Sequence, residues 1–151
     1  MKTMKYFVIG AMMLSMSAPA MAQDVKAQVD AITKVVVDAK GDVAATKSQV
    51  KEFMKLNKKD AEAVAGLGRA FMNAKNLEQA KIYADLAIKV GKASAAGYIL
   101  HGDIAAIEEN GGEAAMWYQT ATTVDPKNPT SYVKYARIYQ RVDPDGAVEM
   151  L

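Results

Sequence analysis

The stretch AEAVAGLGRAFMNAKNLEQAKIYADLAIKVGKAS, residues 61–94, decides the fold. The next stretch of equal length, AAGYILHGDIAAIEENGGEAAMWYQTATTVDPKN, residues 95–128, repeats its small and large residues in register. One constant shift carries Gly68 onto Gly102 and then Ala136, Ala80 onto Ala114, and Ala87 onto Ala121. It also carries Val64 onto Tyr98 and Tyr132, Tyr83 onto Trp117, and Phe71 onto Tyr139 across a smaller Ala105. A small residue in a first helix lets a second helix approach closely, and alanines in the second let the next pair stack on it. Larger residues then fill the layers between.

Working outward, apolar residues recur every three to four positions and the breaks are short and polar, the pattern of consecutive amphipathic helices. Helices are expected over 61–73 and 77–90 with Lys75-Asn76 between them, and over 96–109 and 113–124 across Asn110-Gly111-Gly112. Upstream, Val25, Val29, Ile32 and Val36 form one stripe ended by Lys40-Gly41-Asp42. Val43, Val50, Phe53, Met54 and Leu56 form the next, ended by Asn57-Lys58-Lys59-Asp60. No segment sustains the period-two alternation of a half-buried strand. The expected class is all-α.

At these residues the sequence resembles the tetratricopeptide repeat family, whose 34-residue unit carries a W-x2-L-G-x2-Y, A-x3-F, A, P pattern. Residues 95–128 match through Gly102, Ala114, Tyr118, Ala121 and Pro126, and residues 61–94 through Leu67, Gly68, Phe71, Ala80 and Ala87. The earlier unit departs at Val64 and Ala84, where the family has aromatics, and at Lys92, where it has proline. Residues 129–151 supply Tyr132, Ala136 and Tyr139 as a partial unit. Residues 23–60 read as a divergent N-terminal hairpin: Lys34 stands where the small residue belongs, and terminal repeats are commonly atypical. The resemblance implies a right-handed α-solenoid of antiparallel helix-turn-helix repeats.

The chain has 151 residues, 51% hydrophobic and 24% charged, enough for one domain with a sizeable core. Residues 1–22 read as a secretory signal peptide: Lys2 and Lys5, an apolar run from Tyr6 to Ser17, then Ala20-Met21-Ala22 before the expected cut. The run is too short to span a bilayer, which takes about 20 residues. Cleavage would remove two lysines from 19 basic and 17 acidic residues and leave a formally neutral chain, with no membrane span. Balanced charge offers nothing to attract nucleic acid. The chain has no Cys, so there is no disulfide framework and no lipid-anchoring site. The expected location is the periplasm or the cell exterior. At the other end, Asp143-Pro144 starts a helix whose Val148, Met150 and Leu151 are apolar and uncapped, so the chain reads as the N-terminal part of a longer repeat protein, or as one that self-associates through an open C-terminal face.

Catalytic chemistry is thin. His101 is the single histidine, and its near acid in sequence, Asp103, lies two residues on, where side chains do not face each other on a helix. Ser48, Ser94 and Ser131 sit in no nucleophile elbow, and Gly111-Gly112 lacks the lysine and hydroxyl of a phosphate loop. Glu108, Glu109 and Glu113 fit no calcium loop. No catalytic, metal or cofactor residue is therefore expected. The aromatics Trp117 and Tyr118 read as hairpin packing before a sugar platform.

One row points to binding. Arg69, Asp103 and Arg137 stand one repeat length apart, and the resemblance places them on the first helices of successive hairpins, lining a concave groove with Asn73, Ile99, Val133, Lys134, Gln140 and Arg141. Each Arg is expected to reach the central Asp103. The clamp by which chaperone-binding relatives hold a terminal carboxylate is mostly missing at the matching Ala65, Arg69, Leu100, Thr130 and Lys134. The expected function is that of a non-enzymatic protein or peptide-binding scaffold in the cell envelope. A carbohydrate-binding component of an outer-membrane uptake system and the docking arm of a longer enzyme are the alternatives.

Overall fold

The computed structural model describes residues 18–145, which form seven α-helices and, among those residues, no strand. In chain order they are α1 (Ala18–Asp38), α2 (Val43–Asn57), α3 (Ala61–Asn73), α4 (Leu77–Val90), α5 (Ala96–Ile107), α6 (Gly111–Val124) and α7 (Pro129–Val142). The ends read for residues 61–73 and 77–90 are the ends of α3 and α4. Between α5 and α6 the reading needs correction: Gly111 and Gly112 belong to the first turn of α6, not to the loop. Asn110 accounts for the difference, because its side chain accepts from the Glu113 N–H at 3.2 Å and starts the helix ahead of both glycines. Residues 18–22 of the expected signal segment are continuous with α1, and residues 1–17 lie outside the described residues, as do Val148, Met150 and Leu151.

The connections recur with the same spacing as the sequence pattern. Asp42, Asn76 and Asn110 cap α2, α4 and α6, each accepting from the N–H three residues on. The left-handed residues that close α1, α3 and α5 are Lys40, Lys75 and Glu109, with φ of 55°, 66° and 61°. The first turn is one residue longer, since Gly41 follows Lys40 in the left-handed region, at 73°, before Asp42. Between pairs, the N–H groups of Asp60, Ser94 and Asn128 donate to the carbonyls of Asn57, Gly91 and Asp125 at 2.9, 2.9 and 3.1 Å. Three loops of one kind thus alternate with three of another.

Packing follows the same order. The substantial contacts join α3 with α4, α4 with α5, α5 with α6 and α6 with α7, while α1 runs along α3 and α3 along α5. A Cβ on Gly68 would stand 3.0 Å from Cβ of Tyr83, and one on Gly102 would strike the Tyr118 ring, 2.6 Å from Cδ1. These glycines therefore admit the facing helix in the way their spacing suggested. One core gathers Ile32, Val36, Phe53, Val64, Leu67, Phe71, Leu100 and Ile104; a second gathers Ile99, Ala114, Tyr118, Ala121 and Ile138. The first pair departs from the rest: α1, not α2, carries the packing on α3. No helix among the described residues is long and apolar enough to cross a membrane.

Candidate functional site

The row on the first helices begins with burial. Ile99 is 3% exposed and packs in the second core, so it faces inward and does not line a surface. Asn73, Val133, Arg137, Gln140 and Arg141 are wholly or partly exposed, while Arg69 and Asp103 are partly covered. The expected ladder of Arg69, Asp103 and Arg137 does not form. Asp103 instead pairs with Lys134 of α7, whose Nζ lies 2.5 Å from Oδ1, and the Tyr118 hydroxyl donates to the same oxygen at 2.7 Å. Tyr118 is 4% exposed and needs a partner for its hydroxyl, so it draws the carboxylate toward α6 and away from the arginines. Lys134 approaches across the Tyr118 ring, 5.8 Å from its centroid. A partly buried network of this kind is worth about 1.5–3 kcal/mol per charged hydrogen bond.

With Asp103 taken by Lys134, the remaining cations of the row, Arg69, Arg137 and Arg141, make no ion pair among the described residues. The row is left with an excess of positive charge. Spacing places Lys134 in the row without assigning it a partner, and it reads Tyr118 as packing alone. The missed signal was the phenol itself, since a buried tyrosine seldom leaves its hydroxyl unpaired.

Burial, with the hydrogen bond and charge of Asp103 added, raises the Tyr118 phenol well above its ordinary value of 10.0; burial raises that of Tyr83 too. The unfolded chain then releases phenolic protons near pH 10 while the folded chain keeps them. Stability that is complete below about pH 10 therefore falls as pH rises further, by up to about 1.4 kcal/mol per pH unit per group. Urea unfolding at pH 8 and 10.5 checks this, because Tyr118→Phe should lose less stability between the two than the wild type. Equal losses would contradict the assignment.

A second cluster corrects the reading of His101. Its Nε2 lies 2.8 Å from Oδ1 of Asp85 on α4, not near Asp103, and its ring stacks on Trp117 at 4.4 Å and 14°. Tyr98 leans on the same indole at 6.2 Å, and the Trp117 N–H donates to Glu113 at 3.3 Å. One face of Trp117 is thereby covered. The three glutamates of the α5–α6 turn are also divided, since Glu108 pairs with Lys81 at 2.7 Å and Glu113 accepts from Asn110. Among the described residues no group of three or more His, Asp or Glu is placed to hold a metal ion.

No family model and no curated protein matches this chain.

Proposed function

We propose that the chain is a non-enzymatic binding scaffold of the cell envelope, a right-handed α-solenoid of tetratricopeptide-like repeats whose first helices receive an extended peptide. The observation that carries this reading is the row on α3, α5 and α7, where Asp103 is neutralised by Lys134 and Arg69, Arg137 and Arg141 make no ion pair among the described residues. Such a surface complements an acidic peptide. The regular recurrence of caps and left-handed turns supports the repeat reading. Exposed Tyr132 and Val133, 48% and 49% accessible on α7, add apolar contact area beside the arginines. The carbohydrate alternative has less support, because His101 already occupies a face of Trp117.

The test reverses two of these charges. Arg69→Glu with Arg137→Glu should change stability by about 0.5 kcal/mol or less, as surface substitutions do. Binding to a displayed library of acidic peptides should fall at least tenfold and should weaken with salt in the wild type. Unchanged peptide binding with intact helicity would dismiss the row as a binding surface.

A further inference from the structure

Phe53 is 1% exposed and stands one repeat length before Ala87 and two before Ala121, both fully buried. Where α4 and α6 present a methyl group, α2 presents a ring. A ring at a close-packed position holds its helix off. α2 accordingly makes few contacts with α3, while α4 lies along α5 and α6 along α7. The gap is a cleft of about 280 Å³ between α2 and the α3–α4 pair.

Its walls are apolar. Val43, Val50 and Met54 of α2 face Phe71 and Tyr83, which stack at 5.6 Å and 14°. Its polar groups are already engaged: the Thr46 hydroxyl donates to the Asp42 carbonyl at 2.8 Å, and the Tyr83 hydroxyl is paired with Gln79. A peptide laid in this cleft would leave its own N–H and C=O groups without partners, at a cost of about 1–3 kcal/mol each. A hydrocarbon chain has none to lose. Two cations mark the mouth. Lys47 and Lys51, one turn apart on α2, line the cleft, are exposed and make no ion pair among the described residues. Lysine stems cover apolar surface while their ammonium groups stay in water.

We propose that this cleft binds a single-chain anionic amphiphile of the fatty-acid class, its hydrocarbon between α2 and the Phe71–Tyr83 pair and its carboxylate at Lys47 and Lys51. The cleft holds roughly nine water-sized groups, which suits an acyl chain of about eight to ten carbons. This site is separate from the row on α3, α5 and α7, and either can fail without the other.

The probes are decanoate, hexanoate and uncharged decanol, added below their aggregation limits to the full chain and followed by methyl NMR. Decanoate is expected to bind one to one and to shift the methyl resonances of Val43, Val50 and Met54. Hexanoate should bind at least tenfold more weakly, since each buried methylene is worth roughly three- to fourfold. Lys47→Gln with Lys51→Gln should weaken decanoate about tenfold and leave decanol unchanged. Both lysines are on the surface, so this variant keeps its fold, and Val50→Phe, which fills the cleft, gives a second measure by abolishing binding. Unmoved methyl resonances, or equal decanoate affinity in the lysine variant, would overturn the proposal. So would a wild-type dimer in sedimentation that Val50→Phe converts to monomer, because the cleft would then belong to a second copy.

Discussion

Gly97→Val is expected to lower stability by about 3–5 kcal/mol, a large share of the 5–15 kcal/mol typical of a domain. A Cβ on Gly97 would lie 2.7 Å from the Ala84 carbonyl oxygen, 2.7 Å from Cγ1 of Ile88 and 2.8 Å from the Ile88 nitrogen. Two of these three atoms are α4 backbone and cannot turn aside, so α5 must lift away from α4. Ala96, Ile99 and Leu100, all nearly or fully buried, would lose packing together. The melting temperature should fall by about 10 °C or more. Gly112→Ala is the matched control: nothing lies within 4 Å of its Cβ, and it should be neutral or slightly stabilising. A Gly97→Val chain as stable as that control would mean that α4 and α5 are not held by this contact.

Phe53→Ala should cost about 3–5 kcal/mol, the range for deleting a buried ring. The larger cost applies if α2 keeps its place and a cavity remains. The smaller applies if α2 settles toward α3, as α4 does on α5. The two outcomes differ in a second measurement, since settling closes the cleft and removes decanoate binding, whereas an unrelaxed cavity leaves its walls in place. Urea unfolding gives the energy and methyl NMR the geometry. A loss below about 1 kcal/mol would show that the ring does not prop α2.

Much of the helix plan was legible, because it rests on a period and on caps that chemistry fixes. Leu67, Phe71, Ala80 and Ala87 announce α3 and α4 by spacing alone, and Asn76 both ends one turn and begins the next helix. The left-handed residues are harder to find. Gly41, the extra residue of the first turn, fits the conformation, but Lys40, Lys75 and Glu109 give no compositional hint of it. Gly97 is readable only in part: Ala63 and Ser131, one repeat length either side, are small and fully buried, but nothing in that spacing shows that the Ala84 carbonyl and the Ile88 nitrogen stand close enough to require glycine. The charged row is only half readable. Spacing brings Arg69, Asp103 and Arg137 into line, but which cation Asp103 meets depends on where Tyr118 pulls its carboxylate, and that is a matter of side-chain direction rather than register. His101 shows the same limit, since Asp85 reaches it from another helix, earlier in the chain.

The order of helix contacts bears also on how the chain acquires its shape. The substantial packing lies between neighbouring helices or between next-but-one neighbours such as α1 with α3 and α3 with α5. Loops closed in making these contacts are short, so little chain entropy is lost before a contact is gained, and folding should be fast for a protein of this length. A helix can dock as soon as its predecessors are in place, without waiting for the far end of the chain. The converse holds for loss of structure: among the described helices α2, which has few packing partners, should release its amides early, and α3, α4 and α5 last.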